Sequence, residues 1–337
     1  MHEASVGDKI DQYELTELLA RSGMASIFKA ADTATGGSVA IKIPHPHLEG
    51  DVVFYERFRR EELVGKRLDH PAIVKVLEPG QKSRMYFAME LVEGRSLRAT
   101  MQELRQLPVE RALGIARAVT DALVYMHGHG VIHRDIKPEN ILLLADDAIK
   151  ILDFGIALDE SARRLTWAGL STTIGTPDYM APEQVGGRRG DARTDVYAVG
   201  MLLYEMITGN LPFSASNLHA LMRAKTSEDP QAASYYLPTI DPALESVIMR
   251  ALARDPRERF DSAAELLQAL RDPSSAAAHD PDAARARARR RGLRRWAFPG
   301  AVVALLVGLA TLVWLSGPKT QTKTNTYAPP PSAPRSR

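Results

Sequence analysis

One segment constrains this 337-residue chain more than any other: His133-Arg134-Asp135-Ile136-Lys137-Pro138-Glu139-Asn140, followed thirteen residues after Asn140 by Asp153-Phe154-Gly155. A lone His-Arg-Asp triplet reads as a surface loop. The spaced set asks for a fold that gathers Asp135, Asn140 and Asp153 in one place. Phosphoryl transfer needs little covalent help: a carboxylate to orient an attacking hydroxyl, and oxygen ligands to hold Mg²⁺ on phosphates. Asp135 suits the first task. Asn140 and Asp153 suit the second, because Mg²⁺ prefers hard oxygen donors. Lys137 can neutralise charge on the moving group.

Around that segment the chain changes character. From Tyr13 to about Leu77 it reads as strands with one helix, since residues 13–19, 27–31 and 38–43 are short, partly alternating runs. Thr35-Gly36-Gly37 between the last two marks a hairpin. Residues 54–68 follow a helical repeat with Phe54, Phe58 and Leu68 among the apolar positions, and residues 86–91 read as a further strand. From Ser96 onward helices dominate, over 108–127, 191–208, 218–224, 242–253 and 262–270. A small strand-rich part ahead of a larger helical part predicts an α+β fold in two lobes, with a ligand cleft between them.

Hydrophobic content of 45% with 25% charged residues is ordinary for a globular protein. The net charge of +2 hides a crowd of arginines between Arg285 and Arg295. The absence of cysteine excludes disulfides, thiolate metal sites and cysteine nucleophiles. The N-terminus lacks a basic start followed by an apolar run, so no cleavable signal peptide is expected. The run from Trp296 to Leu315 is uncharged and matches the ~20 residues that cross a hydrocarbon core. Trp296 and Trp314 bracket it, and the arginines lie on one side only. That pattern predicts a membrane span with its basic side inside, rather than an arm for nucleic acid. The expected organisation is a tail at 1–12, a catalytic domain at 13–271, an Arg-rich linker at 272–295, a transmembrane helix at 296–315 and a short disordered tail outside at 316–337.

Val39-Ala40-Ile41-Lys42, Glu61, the 133–140 segment, Asp153-Phe154-Gly155 and Ala181-Pro182-Glu183 follow one another in a known order, which Asp195 and Arg259 continue. Over about residues 13–270 the chain resembles the bacterial eukaryotic-type (Hanks-type) serine/threonine protein kinases. The resemblance implies a bilobed protein-kinase-like fold, a small antiparallel β lobe with one helix and a larger helical lobe. It implies transfer of the ATP γ-phosphate to Ser and Thr hydroxyls of protein substrates, with Mg²⁺ (or Mn²⁺ in its place) as cofactor. Asp135 and Lys137 would act at the reacting groups, Lys42 would grip the α- and β-phosphates, and Asn140 and Asp153 would hold the metal. Neighbouring helical residues face about 100° apart, so only one of Glu61 and Glu62 can pair with Lys42; the family pattern, counted to His70-Pro71, implies Glu61, with Glu62 the runner-up. The backbone of Glu90 and Val92 would meet adenine, Met89, Ala40 and Ile27 would complete the nucleotide site, and Glu93 would face the ribose. Glu183 and Arg259 resemble a buried ion pair, and His133 and Asp195 resemble scaffolding. His127 and His129 read as plain polar residues near a helix end, and His45 and His47 alternate with prolines and are assigned no metal.

The phosphate-covering loop departs from the family. Ala20, Ser22 and Ala25 stand where glycines are expected, and Gly23 comes one residue late. Glycine lets backbone amides approach phosphates and permits positive φ, so altered ATP affinity is expected. A membrane-tethered pseudokinase scaffold is the alternative, against which Lys42, Asp135, Asn140 and Asp153 are all present. Lys137 and Gly175-Thr176 imply Ser/Thr specificity. Arg134 implies control by phosphorylation at Ser171, Thr172 or Thr173, with Thr166 weaker, since arginine pairs bidentately with phosphate. The short tail cannot form a sensor domain, so signals are expected from membrane partners, a homodimer of the catalytic domain, or the cytoplasm, where a single-pass protein of the inner (plasma) membrane would keep that domain.

Overall fold

The computed structural model describes residues 2–154 and 177–274. Strands β1 (Lys9–Ile10), β2 (Tyr13–Arg21), β3 (Ala25–Asp32), β4 (Ser38–Pro44) and β5 (Phe87–Glu90) form one antiparallel sheet in sequence order, with helix α1 (Val52–Arg67) between β4 and β5. The pleat alternates side chains across the sheet. Val39, Ile41 and Ile43 therefore join Tyr13, Leu15 and Phe28 in one core, while Ala40 and Lys42 face α1 on the other side. The register sets Lys42 opposite Phe87 and Ala40 opposite Met89. Asp51 starts α1 by accepting from the amides of Val53 (2.8 Å) and Phe54 (3.1 Å), satisfying two of the donors a helix start leaves unpaired.

The helical part begins with β6 (Arg95–Ser96) and α2 (Leu97–Leu104), then α3 (Val109–Gly128). A second small sheet orders β6 beside β7 (Ile141–Leu143) and β7 beside β8 (Ile149–Ile151), placing the 133–140 segment immediately before β7. After residue 177 come α4 (Pro182–Val185), α5 (Ala192–Thr208), α6 (Leu218–Ser227), α7 (Pro242–Ala251) and α8 (Ala263–Arg271). Helix α5 is buried nearly all round, the mark of a central helix. Helices α3, α7 and α8 pack on it. One continuous core runs from Phe58 on α1 through Val76 and Phe154 into this helical layer.

Two parts of the architecture differ from expectation. Residues 1–12, expected as a tail, contain β1, and Asp11 accepts from Tyr86 Oη (2.7 Å) and the Ser83 amide (3.1 Å), so this stretch closes one edge of the sheet. A two-residue strand is too short to show an alternating pattern. Helix α2 was not anticipated either, since Leu97, Thr100 and Met101 are its only buried positions. Gly155, Thr166, Ser171, Thr172, Thr173, Gly175 and Thr176 lie outside the described residues. So do the arginine cluster, the Trp296-to-Leu315 run and everything after it. Among the described residues no helix is long and apolar enough to cross a membrane.

Candidate active site

The 133–140 loop takes its shape from one buried carboxylate. Asp195, fully buried in the first turn of α5, accepts the amides of Arg134 (2.6 Å) and His133 (2.9 Å). Arg134 has φ +67°, a left-handed conformation that costs an L-residue free energy and persists only where its surroundings impose it. Here its amide is fixed by Asp195 and its carbonyl accepts from Gln184 Nε2 at 3.1 Å. His127, expected to be an uninvolved polar residue, instead places Nε2 2.8 Å from Asp195 Oδ2, packing a third partner on the same carboxylate. Sequence spacing could not bring His127 to a residue 68 positions later.

Beyond that turn the chemistry-bearing side chains converge. Lys137 Nζ donates to Asp135 Oδ2 at 2.6 Å, and Asn140 Nδ2 donates to the Asp135 carbonyl (2.9 Å) and to Oδ2 (3.1 Å). Exclusion of water pushes the Asp135 carboxyl up, against the pull of Lys137. The Leu152 amide donates to the Asn140 carbonyl at 2.9 Å, which brings Asp153 alongside the loop. Asn140 spends its amide nitrogen on Asp135, which leaves Oδ1 as the side chain's acceptor atom. A carboxylate and a carboxamide oxygen form the hard, two-residue donor set that suits Mg²⁺ shared with phosphates.

On the sheet side, Lys42 Nζ donates to Glu61 Oε1 on α1 and lies 3.5 Å from Asp153 Oδ1. Three ionisable groups thus share one site, Lys42 and Glu61 largely buried and the Asp153 side chain 38% exposed. Burial disfavours the Lys42 ammonium, but the Asp153 and Glu61 carboxyls override it and hold the lysine charged. Burial likewise works against ionised Asp153, and Lys42 overrides it, keeping that carboxyl well below its usual range. Glu61 yields: burial first, then the Asp153 charge, push it up to about 8 despite Lys42. Glu62 faces elsewhere and takes Lys82 and Lys66. Between the sheets, Phe154 is buried against Gly65 of α1, where an added Cβ would sit 2.6 Å from the ring. Gly65 and the Glu62–Lys82 pair were not singled out from sequence. A glycine inside a helix costs about 1 kcal/mol relative to alanine, and its place one turn after Glu61 was the available signal.

The nucleotide-side residues occupy β2 to β5. Ala20 pairs with Ile27 across β2 and β3, and Ser22 and Gly23 lie in the connecting turn. Ala40 and Met89 are buried partners, Glu90 ends β5, and Val92 is half-buried just beyond. Among the described residues, the non-glycine positions with positive φ are Asp11, Arg105, Arg134 and Asp147, which excludes Ala20, Ser22 and Ala25. Replacing glycine there carries no left-handed strain. Instead the Ser22 hydroxyl accepts from the amides of Met24 (3.3 Å) and Ala25 (3.1 Å), closing the turn on itself. His45, the first of the His45/His47 pair, contacts the Ser22 carbonyl through Nε2 at 2.8 Å.

Beyond the site, Arg259 makes a bidentate pair with Glu183 at 2.8 and 2.7 Å, both side chains buried. Comparison with known families matches a protein kinase domain across residues 13–270. The chain belongs to the protein kinase family. It is 39% identical to a probable serine/threonine-protein kinase of Streptomyces coelicolor, over 76% of this chain and 39% of the relative. It is also 39% identical to the serine/threonine-protein kinase PknB of Mycolicibacterium smegmatis, over 76% and 42%. The chain therefore spans about two fifths of these relatives' length. Among solved structures, the kinase domain of Mycobacterium tuberculosis PknI superposes with a TM-score of 0.63 at 30% identity, over 80% of this chain and 99% of that one. Protein kinases as a family use ATP and a divalent metal ion, and the bilobed arrangement described above is that of the kinase fold.

Proposed function

We propose that this kinase domain transfers the γ-phosphoryl group of ATP to Ser and Thr hydroxyls of proteins, its own activation segment included. We place it in bacterial signal transduction, held at the plasma membrane by residues 296–315 with the domain in the cytoplasm. The observation that carries the reading is the Asp135 carboxylate with Lys137 and Asn140 upon it, on a loop hydrogen-bonded to the backbone beside Asp153. Asp135 orients the acceptor hydroxyl and takes its proton as the new O–P bond forms and the bond to the leaving ADP oxygen breaks. Lys137 offsets charge on the group in flight. Lys42, held by Glu61, grips the α- and β-phosphates from the sheet side. Asn140 and Asp153 would hold Mg²⁺, which would supply charge neutralisation at the phosphates.

The test is autophosphorylation of the full chain with Mg-ATP, read by mass spectrometry. Asp135→Asn is expected to lower the rate by on the order of 10²–10⁴, and equal incorporation in variant and wild type would sink the assigned role. Sites should fall among Ser171, Thr172 and Thr173. For the anchor, the intact chain should sediment with membranes, and a chain ending at residue 274 should stay in the supernatant. A scaffold without phosphotransfer is the second reading, favoured by one feature: the Ser22 hydroxyl already occupies amides that would meet phosphates. No thermal shift with Mg-ATP and no gain in mass would establish it.

A further inference from the structure

Lys225 stands apart from the other lysines. It lies on α6, 1% exposed, and among the described residues no carboxylate forms an ion pair with it. Its ammonium donates to the carbonyls of Asp178 and Met180 (3.1 Å for the latter) and lies 3.4 Å from Tyr197 Oη. The rings of Tyr197 (5.2 Å) and Phe213 (5.4 Å) wall it in. Burial pushes this amine down to about 7, with Asp178 opposing and Arg259 assisting. A buried lysine is costly, and an apolar chain of the same length would pack without that cost. What the apolar chain could not supply is three donors.

Those donors meet a particular stretch of backbone. Asp178 and Met180 flank Tyr179, which accepts from Arg98 Nη2 at 3.1 Å, directly ahead of Ala181-Pro182-Glu183. The far end of this stretch is fixed by Arg259 on Glu183. Its near end is fixed by Lys225. The same Tyr197 ring lies under Arg259 (4.8 Å) and Lys225, so both fixings share one support on α5. The near fixing differs in that it originates on α6, an element with no part in holding ATP.

We propose that Lys225 is a positioning residue for the protein substrate, holding the 178–180 backbone in the shape against which the chain beside the acceptor hydroxyl docks, and so making α6 a determinant of substrate choice. The inference rests on the proposed protein-kinase function, and it takes the 178–180 backbone ahead of Ala181-Pro182-Glu183 as the surface that meets the peptide. Full-length wild type, Lys225→Met and Lys225→Arg are compared on an oriented peptide library with a central Ser or Thr, followed by KM determination for the preferred peptide and for ATP. Lys225→Met is expected to raise the peptide KM about tenfold and blur the preference next to the acceptor, while the ATP KM stays put. Lys225→Arg, which keeps the donors, should restore the peptide KM. An unchanged peptide KM and preference in Lys225→Met overturns the proposal, as does a parallel rise in both KM values. If Lys225→Met does not fold, Lys225→Gln is read by the same criteria. A wild type that modifies no peptide while binding Mg-ATP removes the kinase reading, and this inference with it.

Discussion

Glu61 titrates beside two other charges, which gives the site a pH response that can be measured. In the Lys42–Glu61–Asp153 group its buried carboxyl is neutral below about 8 and charged above. A raised pKa means that rising pH completes the Lys42 ion pair. The kcat/KM for ATP is therefore expected to climb between about pH 6.5 and 9, and Glu61→Gln should flatten the climb. A slope that survives Glu61→Gln would assign it elsewhere. Gly65 offers a second test at this scale. Alanine gains about 1 kcal/mol of helix propensity, while overpacking against Phe154 costs about 1–3 kcal/mol. The difference is a loss of up to about 2 kcal/mol, with the Val76 side chain also in the way of the added Cβ, so Tm in Gly65→Ala should fall by up to several degrees. Activity should fall about tenfold, because Phe154 must shift and Asp153 is its neighbour.

At the scale of elements, α1 is gripped on two faces. Glu61 reaches Lys42 on β4, and Glu62 reaches Lys82, whose ammonium also caps the Tyr86 carbonyl at 2.7 Å. Adjacent glutamates bonded in different directions set the rotation of the helix about its own axis. Glu62→Gln and Lys82→Met should each lower kcat/KM for ATP severalfold, and the double variant should be no worse than either single one. Additive losses would show that the pair does not act as a unit. The β2–β3 turn invites the opposite change. Ser22→Gly removes the hydroxyl that engages the Met24 and Ala25 amides, and the ATP KM is expected to drop about threefold. A rise would mean that the hydroxyl shapes the turn for phosphate rather than competing with it.

For the molecule as a whole, the Glu183–Arg259 pair joins α4 to the chain between α7 and α8, with Thr194 adding a bond to Glu183 at 2.9 Å. Arg259→Ala leaves a buried carboxylate without its cation, a loss of about 3–5 kcal/mol. In a domain of this size that corresponds to a fall in Tm on the order of 10 °C. A shift within about 2 °C would mean that water or a neighbour takes over the arginine's bonds. The folded Glu183 carboxyl lies below its ordinary range, burial opposing and Arg259 prevailing. The stability it contributes is present above its unfolded-state pKa and lost as pH falls through the lower folded one. Arg259→Ala should therefore also lessen the destabilisation seen on acidification.

The fold and the reacting groups were legible in the sequence because both rest on local order. Alternating strands, helical repeats and the spacing of Lys42, Asp135, Asn140 and Asp153 are properties of short stretches. Even Glu61 over Glu62 followed from the family pattern counted to His70-Pro71. What tertiary structure decided were contacts between residues far apart in the chain. Asp195 reaches across 61 positions to force Arg134 into its left-handed turn, and His127 joins the same carboxylate. Lys225, to all local appearance a surface lysine, reaches 47 positions back to a carbonyl. A lysine's sequence neighbours report only its helix, and burial depends on what packs over that helix. The pattern along the chain determined which groups perform chemistry, and the packing of distant elements determined how each is held and charged.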